Sequence, residues 1–173
     1  MLKKIAIVGP EASGKSVLTK ELAQYYNTSY AEEYSRVYLE EVGLGYSRAD
    51  LLEIAKGQIK NEDEAIKKAN DWVFFDTNLV VIKIWSLYKY QHLDPEITKL
   101  HQERSYDLHL LLRPDLIYEN DPLRENPSLE ERNDLFEMYL HELKVNETPF
   151  RIVEGRDEKR LNSALSILES IFI

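Results

Sequence analysis

The chain contains no cysteine. That excludes a disulfide scaffold, thiolate catalysis and cysteine-liganded zinc, and it suits a cytoplasmic location. Glycine and proline are scarce, with six of each in 173 residues, too few for a collagen-like or low-complexity chain. No apolar run approaches the ~20 residues that cross a bilayer. The first one, Ile5 to Val8, ends at Gly9-Pro10 and is shorter than the core of a secretory signal, so no leader is expected. Positive charge is also in short supply. Lys and Arg total 22 against 31 Asp and Glu, a formal net charge of −9. Such a surface repels nucleic-acid backbones and anionic lipid, so neither nucleic acid nor membrane is an expected partner. A local basic pocket can still hold a small anion.

The residues present are 43% hydrophobic and 31% charged, the balance of one globular domain, here taken as residues 1–173. A domain of this size buries roughly 70% of its unfolded surface, enough for a real core. Strands and helices alternate along it. Lys3 to Val8 is an apolar β-rich run, followed by Val17, Leu18, Leu22 and Ala23 at helical spacing. Thr28 to Ala31 predicts a second strand. The helix after it, carrying Tyr34, Tyr38 and Leu39, stops at Gly43 and Gly45. Ser47 with Asp50 forms a capping box for a long helix to about Asn70, on which Asp63–Lys67 and Glu64–Lys68 are spaced as solvent-facing i,i+4 pairs.

Trp72 to Asp76 is a buried-strand run ending in an acid, and Asn78 to Gln91 is apolar and helical. Asp94-Pro95 opens a further helix. Asp107 to Leu112 has the continuous apolarity of a strand covered on both faces. Leu116 to Pro127 is charged and holds two prolines, as a loop or short lid would. Ser128-x-x-Glu131 caps a helix to about Asn146, Phe150 to Val153 is a fifth strand, and a last helix follows Gly155. The fold class is therefore α/β, a doubly wound, mainly parallel five-stranded sheet with helices on both faces.

Gly9-Pro10-Glu11-Ala12-Ser13-Gly14-Lys15-Ser16 satisfies G-x-x-x-x-G-K-[ST] between a strand and a helix, the context the motif needs. Its glycines let backbone N–H groups curl around a phosphate, the helix N-terminus adds partial positive charge, and Lys15 reaches the β- and γ-phosphates of ATP. Ser16 supplies a hydroxyl to Mg²⁺. The cofactor-binding set is Gly9, Glu11 to Val17, Arg113 and Arg132, with ATP and Mg²⁺ as the expected cofactors. Asp76, at the carboxyl end of its strand, is in the Walker-B position for magnesium, although an aspartate there can also cap the next helix. No N-K-x-D occurs, and no D-x-x-G follows the second strand, which argues against a Ras-like switch.

Two further segments point to a small-molecule kinase. Glu33 and Arg36 follow the second strand, where ligands of doubly wound sheets lie. A carboxylate there can accept the proton of an attacking hydroxyl, and an arginine can hold a phosphoryl group. The competing reading is a helix start at which Glu32 and Glu33 favour the dipole. Residues 114–132 can close as a lid, with Arg124 mid-loop and Arg132 at the start of the following helix. Asp115, Glu119, Asp121 and Glu125 would otherwise make it a neutralised surface loop.

Beyond the P-loop, Glu33-Tyr34-Ser35-Arg36, Ile54-Ala55-Lys56-Gly57-Gln58, Phe75-Asp76-Thr77-Asn78 and Asp121-Pro122-Leu123-Arg124 with Arg132 resemble the nicotinamide-riboside kinase domain of NadR-type NAD-biosynthesis proteins. The resemblance runs over nearly the whole chain. It implies ATP- and Mg²⁺-dependent phosphorylation of the 5′-hydroxyl of nicotinamide riboside. Glu33 would be the base, Asp76 would order magnesium or share substrate contact, and Arg36, Arg124 and Arg113 would hold phosphates. The catalytic set is thus Lys15, Glu33, Arg36, Asp76 and Arg124.

Fused members carry an adenylyltransferase domain, for which 173 residues leave no room. Glu32 replaces an aromatic residue, and Asn78 replaces the second aspartate of Asp-Thr-Asp. Both changes fall near the expected acceptor pocket. Trp85 and Tyr88 can stack on a flat base or pack in the core. His92, His101, His109 and His141 lack ligand spacing, and the tyrosines of residues 25–38 suit helix and strand packing. The expected partner is a small-molecule acceptor, nicotinamide riboside or another nucleoside-like compound, and a homo-oligomer is compatible with the sequence. A nucleoside or nucleoside-monophosphate kinase and an ATP-binding regulatory module are the alternatives.

Overall fold

The computed structural model describes residues 1–118, 121–126 and 128–173. Glu119 and Pro127, which the sequence places in the lid segment, lie outside the described residues. The strands are β1 (Lys3–Val8), β2 (Tyr30–Ala31), β3 (Trp72–Asp76), β4 (Leu108–Leu112) and β5 (Phe150–Val153). The helices are α1 (Lys15–Tyr25), α2 (Tyr34–Val42), α3 (Arg48–Lys68), α4 (Leu79–Tyr90), α5 (Pro95–Gln102), α6 (Leu129–Val145) and α7 (Glu158–Phe172). The strands form one sheet in the order β2-β3-β1-β4-β5, and every pairing is parallel.

Two-sided burial explains the apolar strands. Ile5, Ile7, Phe74, Leu108 and Leu110 face one layer with Leu18, Leu22 and Leu168 from α1 and α7. Ala6, Val8, Val73, Phe75 and Leu111 face the other with Val80, Phe136 and Tyr139 from α4 and α6. A third cluster beside the sheet joins Leu39, Leu51, Ile54, Leu79, Ile82 and Ile97 from α2, α3, α4 and α5. It sets the wall of the cleft described below. Because β2 and β3 lie on one side of β1 and β4 on the other, the chain reverses direction at β1. The crevice of such a sheet opens at the carboxyl ends of these strands.

The boundaries differ from the sequence reading where side chains take over backbone bonding. β2 starts at Tyr30 rather than Thr28, because the Thr28 hydroxyl donates to the Trp72 carbonyl and the Ser29 hydroxyl to that of Ala65. β4 starts at Leu108 because the Asp107 carboxylate accepts from the Lys4 N–H at 2.7 Å. The pairs on α3 also change. Asp63 bonds Arg104 at 2.7 Å instead of Lys67, and Glu64 pairs with Lys67 at 2.7 Å. Arg104 is drawn to that face by Glu62, a fully buried carboxylate at 2.9 Å. The Ser47–Asp50 capping box is present. No helix of the described residues is long and apolar enough to cross a membrane.

The Tyr34 ring packs directly on Gly57 of α3: a Cβ added there would lie 2.0 Å from Tyr34 Cε1. Gly57→Ala therefore overpacks this contact at a cost of about 1–3 kcal/mol. The check is thermal unfolding, with a melting temperature lowered by roughly 2–4 °C per kcal/mol. An unchanged value would contradict the packing.

Candidate active site

The segment from Gly9 to Ser16 passes from β1 into α1 through left-handed backbone at Gly9 (φ 142°), Ala12 (54°) and Gly14 (83°). At Gly9 space requires glycine as well, because a Cβ would meet backbone, whereas at Gly14 it would meet only the end of a leucine side chain. A Cβ would lie 2.8 Å from the Leu112 carbonyl oxygen at Gly9 and 2.9 Å from Leu116 Cδ1 at Gly14. The Ser13 hydroxyl and Lys15 Nζ both donate to the Pro10 carbonyl, at 2.8 and 2.9 Å. Arg160 of α7 is buried beneath the loop, donating to the carbonyls of Ser13 and Gly155 and pairing with Asp115. No local pattern in the sequence announces Arg160, because Ser13 and Asp115 lie far away along the chain.

Beneath the floor of the cleft, Asp76 is 4% exposed and its Oδ1 has no hydrogen-bond partner. It is not the cap of α4. Asn78 takes that role, accepting from the Val80 N–H at 3.0 Å. Burial raises the Asp76 pKa to about 6, and the charge of Glu33 adds to the rise. A hydrogen bond from Ser16 and the charges of Lys15 and Lys20 oppose it. Glu33 sits at the N-cap position of α2 but makes no capping bond. Its carboxylate lines the cleft and accepts from the Ser35 hydroxyl at 2.6 Å.

Gln58 ties these two acids together. Buried on α3, it accepts from the Tyr34 N–H at 2.9 Å and donates to the carbonyls of Asp76 and Thr77 at 3.5 and 3.4 Å. The backbone after Glu33 is thereby held to the end of β3. In the sequence Gln58 belongs to a recognisable stretch, but its partners are backbone groups that no pattern specifies.

Neither departure noted in the sequence reaches the cleft. Glu32 is largely exposed, 3.8 Å from Lys20 and 3.4 Å from the Tyr30 hydroxyl. Asn78 is fully buried, its amide 2.9 Å from Nε2 of His109, which burial keeps neutral with a pKa of about 4.

Leu123 to Asn126 form the outer wall. The Glu11 carboxylate accepts from the N–H groups of Glu125 and Asn126 at 3.1 and 2.9 Å, so the P-loop holds this segment directly. Glu125 in turn accepts from the Tyr46 hydroxyl and from Lys89 at 2.6 Å. Trp85 donates to the Tyr46 hydroxyl at 2.8 Å and lines the cleft with Tyr88. Arg36 and Arg124 line it too, and both pair with Asp121, at 2.5 and 3.5 Å. The cavity between these walls has a volume of about 200 Å³.

The cleft thus brings together Gly9, Glu11, Ala12, Ser13, Gly14, Lys15, Ser16, Val17, Glu33, Arg36 and Arg124, with Asp76 below. Two expected phosphate ligands are not there. Arg113 pairs with Glu154 at 3.0 Å and lies over the Phe136 ring, 5.0 Å from its centroid. Arg132 is 3% exposed, donates to the carbonyls of Ser128 and Leu116 at 3.4 Å each, and packs over Tyr118. It joins the two ends of the lid segment. Neither Arg113 nor Arg132 lines the P-loop cleft.

A family model described as an AAA domain matches residues 4–160, and the chain belongs to that family. It is 34% identical over 163 residues to the trifunctional NAD biosynthesis/regulator protein NadR of Escherichia coli (strain K12), covering 90% of this chain and 39% of that protein. The chain spans about two-fifths of the length of this curated relative. The crystal structure of a NadR protein in complex with NR superposes with a TM-score of 0.85 at 22% identity, over 99% of this chain and 52% of the other. A thymidylate kinase from Candida albicans superposes with a TM-score of 0.70 at 16% identity, over 98% of this chain and 92% of the other. At these identities the structural matches establish a shared P-loop kinase fold.

The buried acid has a measurable consequence. A carboxyl whose folded pKa is raised binds a proton more readily in the native state, so its contribution falls as pH rises from the unfolded value, near 4, through about 6. Asp76→Asn is therefore expected to raise stability at pH 7.5 by on the order of 1–3 kcal/mol. The gain shrinks toward pH 4. Denaturant unfolding at the two pH values checks this, and an equal difference at both would contradict it.

Proposed function

We propose that this cleft transfers the γ-phosphoryl group of ATP to the 5′-hydroxyl of nicotinamide riboside, giving ADP and nicotinamide mononucleotide. The observation that carries the reading is the convergence of a complete P-loop, the Glu33 carboxylate and the Arg36 and Arg124 guanidiniums on one cleft. The NadR relative, and the NadR structure with NR, support it. In the transfer, the acceptor oxygen forms a bond to the γ-phosphorus as the bond to the β,γ-bridging oxygen breaks. The hydroxyl proton passes to Glu33, and ADP leaves. Backbone N–H groups of Ala12 to Lys15 and the Lys15 ammonium hold the phosphates, while Arg36 and Arg124 face the charge that builds on the transferring group.

The residues fit a magnesium ion. The unpaired, buried Oδ1 of Asp76, beside a Ser16 hydroxyl that bonds the same carboxylate, is the arrangement a hard cation and its waters would satisfy. Among the described residues no cluster of three His, Asp or Glu could hold a metal by itself. The remaining ligands would be phosphate oxygens and water. When bound, the ion would neutralise charge on the β- and γ-phosphates. Trp85 and Tyr88 on the cleft wall offer aromatic surface to a pyridinium ring.

A nucleoside acceptor is favoured over a nucleoside monophosphate by the charge of the cleft. Its cationic side chains, Lys15, Arg36 and Arg124, are matched by three carboxylates, Glu11, Glu33 and Glu125. A second stable phosphate dianion would need a surplus of positive charge.

Steady-state ADP release with Mg-ATP and nicotinamide riboside tests the assignment. Lys15→Ala is expected to reduce turnover to background. Glu33→Gln should lower kcat by roughly 10²–10⁴-fold, the range of a lost general base. Arg124→Ala should lower kcat by about 10³-fold or more, with a smaller rise in acceptor KM. Unchanged kcat in Glu33→Gln would overturn the base, and unchanged kcat in Arg124→Ala would overturn the contact of the lid with the transferring group.

A further inference from the structure

The shared fold does not decide whether an acceptor arrives with or without a phosphate, because one superposable protein is a thymidylate kinase. The decision must be made by side chains at the acceptor end. There, beyond Glu33, the two guanidiniums that could receive an acceptor phosphate both engage one carboxylate. Asp121 Oδ2 is 2.5 Å from Arg36 Nη2 and 3.5 Å from Arg124 Nε. Its other oxygen, Oδ1, accepts from the Leu123 N–H at 3.0 Å, and the Asp121 carbonyl accepts from the Arg124 N–H at 3.0 Å. The carboxylate is therefore fixed by the turn it caps as well as by the arginines. Its side chain is 16% exposed, compared with 46% for Arg36.

We infer that Asp121 is a specificity-determining residue, whose carboxylate fills the anion position between Arg36 and Arg124 and thereby selects acceptors that carry no phosphate. The inference rests on the kinase reading of the cleft and adds to it. Arg36 also faces Glu33 and Glu40, and Glu40 lines the same recess as Arg36, Asp121 and Arg124, so the carboxylates here offset the two guanidiniums. A resident phosphate monoester, close to a dianion at neutral pH, would have to displace Asp121 from Arg36 or lie beside it with like charge. Either event weakens binding.

The same repulsion acts on the product, which carries a phosphate that the acceptor did not, and so favours its departure. The hydrogen bond from Arg36 holds the Asp121 carboxyl below its ordinary pKa, and the group stays charged throughout the neutral range.

The test is calorimetry on the intact chain saturated with ADP, so that the P-loop is filled and the titrant reads the acceptor end. Asp121→Asn keeps a side-chain oxygen for the Leu123 N–H while removing the charge; Asp121→Glu keeps the charge. Inorganic phosphate is expected to bind Asp121→Asn at least ~10-fold more tightly than the parent, with Asp121→Glu close to the parent. The ratio of affinities for nicotinamide mononucleotide and nicotinamide riboside, and for thymidylate and thymidine, should move the same way. Equal phosphate affinity in the parent and a folded Asp121→Asn would overturn the role of Asp121, whatever the enzyme's turnover. Failure of the parent to bind any nucleoside, with the gain in phosphate affinity intact, would instead overturn the acceptor reading and leave the part played by Asp121 standing.

Discussion

Asp76 stands at the carboxyl end of β3 with one oxygen sealed from water and unpaired, and the surrounding cleft is arranged around that exposed need. Packing alone would place an apolar or capped residue here, since a buried carboxylate without a full set of partners is destabilising. Asn78 takes over the helix cap, which leaves Asp76 to face Ser16 and the P-loop lysine. Glu33, a second negative charge, is held nearby through Gln58 and raises the Asp76 pKa further. An unpaired, buried carboxylate oxygen is what a hard cation would satisfy, and in the proposed reaction a triphosphate would bring that cation with it. Stability given up at Asp76 is thus tied to what the cleft can hold.

The rest of the fold keeps that geometry rigid from three directions. Arg160 in α7 supports the P-loop from below through the Ser13 carbonyl. Gly57 and Gln58 of α3 seat the first turn of α2 against β3 by close packing and hydrogen bonding. On the outer side the Glu11 carboxylate draws in the backbone of Glu125 and Asn126, while Tyr46 and Lys89 hold the Glu125 side chain. A P-loop residue thus bonds the segment that covers it, and the phosphate site and the outer wall of the cleft form one connected structure. The charge balance of the cleft follows from the same contacts, since each of these carboxylates has a structural partner.

Much of this was legible in the sequence because it rests on local signals. The continuous apolarity of Trp72 to Phe75 and Leu108 to Leu112 marked strands covered on both faces, and the glycine spacing of residues 9–16 marked the P-loop by its backbone demands. Glu33, Arg36 and Arg124 were singled out by their position after a strand or within a loop, and all three line the cleft. Long-range partners were what escaped. Arg113 and Arg132 carry the right charge in the right segment, yet Glu154 and the carbonyls of Ser128 and Leu116 claim them. Arg160, Gln58 and Tyr46 act on groups 39 to 147 residues away, or on backbone atoms, and spacing carries no sign of that. Asp121 looked like one of several neutralising acids, and only its geometry singles it out between two arginines.

The proposed reaction moves a phosphoryl group from ATP to a nucleoside hydroxyl. The most direct measurement is ADP formation by the purified protein with Mg-ATP and, in parallel, nicotinamide riboside, common nucleosides, their monophosphates and no acceptor, with each product identified by mass. Stimulation by nicotinamide riboside, with nicotinamide mononucleotide accumulating in step with ADP, is the predicted result. ATP binding with ADP release that no acceptor stimulates would contradict the account and assign the cleft to nucleotide sensing instead of transfer.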